Sequence, residues 1–285
     1  MIEVTEQLIR EVYKTRPAEA KKYDYGHLLV IGGSKRYTGA PLLVALAAMR
    51  AGCDLATMAA PRRSADAVAA ASPTVVTWPL EEDALSHASL PEIRKTMENK
   101  TAAVIGPGAG REEKTLSALR QILKECQVPA VIDADAIRAV GEKGADEIAG
   151  RPFVFTPHAF EFLALTGTDP RRAQFDQRMG MVKNVAKTLA CVVCLKGNRD
   201  IISDGKEVAV NDTGSPFMTK GGTGDVLAGI IGALLARGID PFLAAQAGCW
   251  ISGKAGHLAS VRKGEGLLAT DVIHEIPHVL VETLV

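Results

Sequence analysis

The sequence predicts an α/β fold: a mainly parallel central sheet with helices on both faces. Three observations predict it. Short apolar runs alternate with helix-period segments from residue 27 to about 195. Turns able to bind a ligand follow those runs directly, at Gly32-Gly33, Gly106-Pro107-Gly108, Asp133, Pro157-His158 and Lys196-Gly197. Ligands of open parallel sheets bind outside the carboxyl ends of the strands, so these turns converge on one cleft. Last, the loop Lys220-Gly221-Gly222-Thr223-Gly224-Asp225 runs straight into Val226, Leu227, Ile230, Ile231, Leu234 and Leu235 at helical spacing, with Gly238 as a stop.

Taken in order, residues 1–25 are polar and mixed, with a short helix around 5–14, and read as a leader packed on the domain. Residues 27–32 are apolar and end in glycine, the pattern of a strand buried on both faces. After the loop 33–39, Pro41 at a first helical position opens a helix over 42–51 that Gly52 closes. Residues 54–59 form the next strand. Ser64 is expected to cap an alanine-rich helix, and the β-branched run 73–78 reads as a strand. A helix is expected near 91–99, a strand at 102–106, an amphipathic helix over 112–126 and a strand over 128–133. Strands follow at 153–156 and 191–196, with a helix over 171–189 between them. Asp204-Gly205 marks a hairpin joining 199–203 to 207–210. Asp240-Pro241 start a helix that runs to about residue 260, and 269–285 reads as helical with a break at Pro277. No linker, repeat or low-complexity tract intervenes, so a single domain over 1–285 is expected.

Composition narrows the function. The 285 residues are ample for a sizeable core, and 47% are hydrophobic. Basic and acidic residues balance at 33 each and only 5% are aromatic, which argues against a nucleic-acid partner. The five cysteines are scattered; Cys191-Val-Val-Cys194 has a redox or half-zinc spacing but lies inside the apolar run 189–195, so core cysteine in a reducing compartment is the reading. The acidic N-terminus lacks a signal-peptide pattern. The longest uncharged run, 67–80, contains Pro73 and Pro79 and is too short to span a bilayer. A cytoplasmic protein with no membrane partner is expected.

P-loop, Rossmann, nucleophile-elbow and His-Glu-x-x-His motifs are all absent. What remains suits phosphoryl transfer without a P-loop. Gly221, Gly222 and Gly224 leave backbone N–H groups free to point at one spot, at a helix N-terminus that favours a phosphate or a developing oxyanion. Asp225 is then either a helix cap or a general base; the glycine loop beside it favours the base. Lys220 reads as a solvated lysine or a phosphate contact. Lys196-Gly197-Asn198-Arg199-Asp200 is a second backbone turn with cationic side chains, or an ordinary strand-to-hairpin turn. His158 is a satisfied histidine at a strand end or a ligand contact. Glu161 could hold magnesium through water or merely solvate a helix face. Asp133 and Asp135 suit a metal, a substrate hydroxyl or turn chemistry. Gly39-Ala40 allows close ligand approach or is a plain turn.

Gly39-Ala40-Pro41, Gly106-Pro107-Gly108-Ala109-Gly110, Asp133-Ala134-Asp135-Ala136, Thr156-Pro157-His158-x-x-Glu161, Lys196-Gly197 and Gly221-Gly222-Thr223-Gly224-Asp225-Val226-Leu227 occur in this order. Together they resemble the ADP-dependent NAD(P)H-hydrate dehydratase family of the ribokinase-like fold, over residues 25–275. The resemblance implies repair of damaged nicotinamide cofactor: the S-epimer of hydrated NADH or NADPH (NADHX, NADPHX) loses its ring hydroxyl at the expense of ADP, with Mg2+, giving NAD(P)H, AMP and phosphate. It implies that Ala40, Gly108, His158 and Asp225 contact the hydrated cofactor, that residues 196–200 and Gly224 contact AMP, and that Asp225 works with the N–H groups of Gly222 and Gly224 in catalysis. Asp200 stands where the family has threonine, and Lys220 where a small residue is commoner. Many relatives carry a fused epimerase domain; here a separate epimerase is the expected functional partner, and a homo-oligomer the expected assembly. The alternative is a kinase of the same fold acting on a hydroxymethyl thiazole or pyrimidine vitamin precursor.

Overall fold

In a computed structural model, residues 1–141 and 144–284 are described. The elements in chain order are β1 (Ile2–Glu3), α1 (Glu6–Val12), β2 (His27–Ile31), α2 (Ala40–Arg50), β3 (Leu55–Pro61), α3 (Arg62–Ala71), β4 (Val76–Leu80), α4 (Leu90–Met97), β5 (Ala102–Ile105), α5 (Glu113–Glu125), β6 (Ala130–Ile132), α6 (Asp135–Val140), α7 (Ala145–Ile148), β7 (Phe153–Phe155), α8 (Ala159–Thr166), α9 (Phe175–Leu189), β8 (Val192–Leu195), β9 (Asp200–Ser203), β10 (Val208–Asn211), α10 (Thr223–Ala236), α11 (Pro241–Lys263) and α12 (Ala269–Leu284).

The strands form one sheet in the order β1-β10-β9-β8-β7-β6-β5-β2-β3-β4. From β8 to β4 every pairing is parallel; β9 runs antiparallel to both of its neighbours. The chain winds outward through β2, β3 and β4, then returns to lay β5 on the other side of β2. That reversal opens a crevice at the carboxyl ends of β2 and β5.

The strands read as unbroken apolar runs because both faces are covered. Leu28 and Val30 of β2 and Val104 of β5 face one core, with α2, α10, α11 and α12. Leu29, Ile31 and Ile105 face the other, with α5, α6, α8 and α9. Truncating a side chain as enclosed as Phe153 or Phe155 costs about 3–5 kcal/mol.

The predicted strands and the hairpin are present, with ends shifted by up to a few residues. Four expectations need correction. Ser64 does not cap α3: it lies inside the helix, and its hydroxyl donates to the Thr38 carbonyl at 3.0 Å. The fourth strand starts at Val76 rather than at residue 73. Pro277 does not break α12, which runs continuously through it; Val285, the last residue of the expected helix, lies outside the described residues. The leader contributes β1, paired parallel to β10, as well as a helix.

Candidate active site

The turns at the crevice hold one another. Gly33 donates to the Pro107 carbonyl at 2.8 Å, and a Cβ at Gly32 would lie 2.2 Å from that oxygen. Gly108, at φ +66°, approaches the start of α2: a Cβ there would sit 3.0 Å from Tyr37 Cβ and 3.1 Å from Ala40 Cβ. Ala40 and Gly108, far apart in sequence, therefore share one wall. One turn further along α2, Leu43 touches the glycine loop, because a Cβ at Gly222 would lie 2.6 Å from Leu43 Cδ1.

Gly222, at φ +96°, is the N-cap of α10, and Asp225 follows in the first turn. A side chain at Gly222 would meet both the left-handed backbone and Leu43, so only glycine fits. Among the described residues, the backbone N–H groups of Gly221, Gly222, Gly224 and Asp225 donate to no acceptor. They form a nest of donors where the helix dipole is positive. The Asp225 carboxylate caps nothing and pairs with nothing among the described residues, so the helix-cap alternative fails. Burial pushes its pKa up to about 7; the charge of Asp133 adds to this, Lys196 works against it, and Glu161 and Asp135 add smaller contributions.

On the other side of the loop, Lys196 Nζ lies 3.3 Å from where a Cβ of Gly224 would be. Lys196 donates to Asp133 Oδ1 at 2.9 Å, and Thr156 Oγ1 donates to the same oxygen at 2.8 Å. Glu161 Oε2 is 3.9 Å from Lys196 Nζ. Burial works against the Lys196 charge, but Asp133 and Glu161 more than reverse this and hold its pKa above the usual lysine value. The ammonium is therefore a permanent cation at the N-terminus of α10.

His158 is the N-cap of α8. Its Nδ1 accepts from the N–H groups of Phe160 and Glu161, each at 3.1 Å, while Glu161 Oε2 accepts from the His158 N–H at 2.9 Å. This is a capping box with imidazole in place of the usual hydroxyl. Burial keeps the His158 pKa below its ordinary value, and Nδ1 as acceptor puts the proton of the neutral ring on Nε2.

A cavity of about 510 Å³ opens beside Gly224, a size suited to a nucleotide. Lys196, Gly197, Asn198 and Asp200 line it, together with Thr213, Ser215 and Ser252, which sequence reasoning missed. For Thr213 and Ser215 the signal was present: residues 212–219 join the hairpin to the glycine loop and had to border whatever that loop binds; Ser252, inside α11, gave none. Arg199 is not on this wall; its guanidinium lies 4.2 Å from the Phe175 ring centroid. Asp200 turns inward, accepting from the Gly197 N–H at 3.1 Å and from Asn211 Nδ2 at 3.0 Å, and burial raises its pKa. Lys220 donates to the Glu265 carbonyl at 2.8 Å, so it serves the loop's anchorage. Asp135 accepts from the Gly110 N–H at 2.8 Å and from Arg111 Nε at 3.1 Å, which makes it turn chemistry.

A family model described as NAD(P)H-hydrate dehydratase matches residues 28–278. The chain belongs to this NAD(P)H-hydrate dehydratase family. An ADP-dependent (S)-NAD(P)H-hydrate dehydratase of Cenarchaeum symbiosum is 37% identical over 279 residues, covering 97% of this chain and 96% of that protein. A bifunctional NAD(P)H-hydrate repair enzyme of Pyrobaculum aerophilum is 44% identical over 269 residues, or 93% of this chain and 52% of that protein. The chain thus spans about half the length of the bifunctional relatives it matches. A solved ADP/ATP-dependent NAD(P)H-hydrate dehydratase of Bacillus subtilis, co-crystallised with ATP and Mg2+, has a TM-score of 0.81 at 27% identity, covering 99% and 98% of the two chains. The fold is the ribokinase-like one, shared at a TM-score of 0.85 by a solved member of that superfamily. Among the described residues no helix is long and apolar enough to cross a membrane.

Proposed function

We propose that this protein dehydrates the S-epimer of hydrated NADH or NADPH at the expense of ADP, releasing NAD(P)H, AMP and phosphate. The observation that carries this reading is the unpaired Asp225 carboxylate beside unused N–H donors, between the Ala40–Gly108 wall and the Lys196 cavity. The hydrated cofactor takes the first side, against Ala40, Gly108 and His158. ADP takes the second, along Lys196, Gly197, Asn198, Asp200 and Gly224 but not Arg199, with its β-phosphate over the glycine loop.

Asp225 removes the proton of the ring hydroxyl, whose oxygen attacks the β-phosphorus. The bond to AMP breaks, and the developing charge is met by the N–H groups of Gly222 and Gly224 and by Lys196. The C–O bond of the new ester then breaks, releasing phosphate, and the neighbouring ring carbon gives up a proton to solvent, which restores the ring double bond. No group of three or more His, Cys, Asp or Glu side chains able to hold a metal occurs among the described residues. That fits an ion arriving on the nucleotide, since Mg2+ keeps several waters and takes phosphates plus one or two carboxylates. Glu161 would hold it through water, and the bound ion would neutralise phosphate charge.

The test is absorbance at 340 nm on mixing protein, hydrated NADH, Mg2+ and ADP. An ADP-dependent rise is expected, with AMP and phosphate appearing in equal amounts, and Asp225→Asn should lower it about 10²–10⁴-fold. A stable phosphate ester of a vitamin precursor, with no rise at 340 nm, would make the protein a kinase instead.

A further inference from the structure

We propose that Asp133 is a positioning residue of the phosphoryl-transfer site: with Thr156 it pins the Lys196 ammonium against the glycine loop before any phosphate arrives. This rests on the reading that the 221–225 loop receives the β-phosphate. The argument starts in the backbone. The ladder continues one residue past three adjacent strands: Asp133 N–H donates to Ile105, Thr156 N–H to Ile132 and Lys196 N–H to Pro157, at 3.1, 3.1 and 2.9 Å. Three side chains from three strand ends are thereby held in one junction. Asp133 is 2% exposed and Thr156 fully buried, so neither has water as an alternative partner. Oδ1 of Asp133 takes both Thr156 Oγ1 and Lys196 Nζ. A lysine otherwise free about four torsions is fixed with its charge beside Gly224.

A plain structural tie between strands would show the same contacts, so the test must separate the two. Asp133→Asn keeps an acceptor oxygen and the volume but loosens the hold on Lys196. It also removes a negative charge near the nucleotide. ADP should then bind, by calorimetry, at least as tightly as to wild type, while kcat at about pH 8.5 falls roughly 10²-fold through misplacement of the cation. Thr156→Val, which changes no charge, should lower kcat in the same sense by a smaller factor. Crystals of wild type and Asp133→Asn grown with ADP should show Lys196 Nζ on the phosphate in the first and displaced in the second. Unchanged kcat in folded Asp133→Asn, or an unmoved Lys196, overturns the proposal. So does a joint loss of thermal stability, ADP affinity and kcat in both variants. Should wild type bind ADP yet form no NAD(P)H, the dehydratase reading falls, and the two ADP-bound structures still decide the role of Asp133. Failure of wild type to bind ADP overturns both.

Discussion

Asp225 lacks a partner for its charge among the described residues, and this decides how it titrates. Its pKa of about 7 lies well above the ordinary aspartate value of 3.8. Below about pH 4 the carboxyl is neutral in both folded and unfolded chains. Between about 4 and 7 the folded chain keeps a proton that the unfolded chain has lost, and the stability this represents disappears as pH rises through 7. Asp225→Asn has no charge to bury, so it should melt higher than wild type at pH 8, and the gap should close towards pH 4. The residue is only half-buried, so the effect is discounted for solvent to on the order of 1 kcal/mol, or about 2–4 °C. Activity should carry the same group's signature: kcat/KM falls below an acid limb near pH 7. A limb near pH 4, or a variant that melts lower at pH 8, would return the carboxyl to its ordinary pKa, whereas full activity in folded Asp225→Asn would remove Asp225 as the base. His158 makes a different point at this scale. The ring caps α8 through Nδ1 and sets Nε2 3.3 Å from Glu161 Oε1, so the proposed ligand would meet the exposed edge of a ring already held at both nitrogens. Capping rules favour Ser, Thr, Asp and Asn, so a histidine cap is hard to read from residue type alone. His158→Ser should keep the cap, melt close to wild type and raise KM for the hydrated cofactor. His158→Ala should cost about 1 kcal/mol in addition. Equal KM in wild type and His158→Ser would leave His158 a cap only.

At the scale of elements, the glycine loop is only as well placed as the helix behind it. α10 crosses α2 closely because Gly229 has no side chain: a Cβ there would fall 2.3 Å from the Val44 carbonyl oxygen and 2.9 Å from Ala47 Cβ. Gly229→Ala should gain about 1 kcal/mol of helix propensity, yet a backbone atom cannot move aside, and overpacking costs about 1–3 kcal/mol or more. The variant should therefore melt several degrees lower and lose activity as α10 shifts. Gly180→Ala, in α9 with nothing near its Cβ position, should gain about 0.5–1 kcal/mol by calorimetry or thermal melt. Opposite signs for the two test the packing argument. The same contrast explains what could be read in the sequence. β2, β5, β6, β7 and β8 were legible because burial on both faces leaves an unbroken apolar run. β1, with two residues, and α7, with four, carry too little pattern to be seen and are held by neighbours. Pro277 was misread for the converse reason: packing of α12 on α11 and α2 outweighs the local preference to break. The cleft was legible as a set of strand ends. The junction of Asp133, Thr156 and Lys196 was not, since it depends on which strands become neighbours.

At the scale of the whole molecule, the two proposed subsites lie on opposite sides of one loop. The Ala40–Gly108 wall belongs to the β2–β5 reversal, and the 510 Å³ cavity to the β8–β9 turn and the segment before α10. Nucleotide bound in that cavity touches parts of the chain that lie far apart in sequence: the end of β8, the exit from the hairpin, α10 and α11. Global unfolding must separate them, so ADP should stabilise the fold as a whole. Mass action sets the size: at a concentration of 100 Kd, about 2.7 kcal/mol. In a chain of this length that is a rise in Tm of about 5–10 °C, readable by differential scanning calorimetry. Asp225→Asn should show at least the same shift, because the carboxylate does not line the nucleotide cavity and its loss removes a negative charge beside the loop that receives the β-phosphate. Hydrated NADH should add its own shift to that of ADP in the variant, where no turnover consumes either ligand. A single shared site would instead make the two compete, and the larger shift alone would be seen. No shift with ADP in folded protein would remove the nucleotide from the cavity and, with it, the source of the phosphate that Asp225 and the glycine loop are arranged to receive.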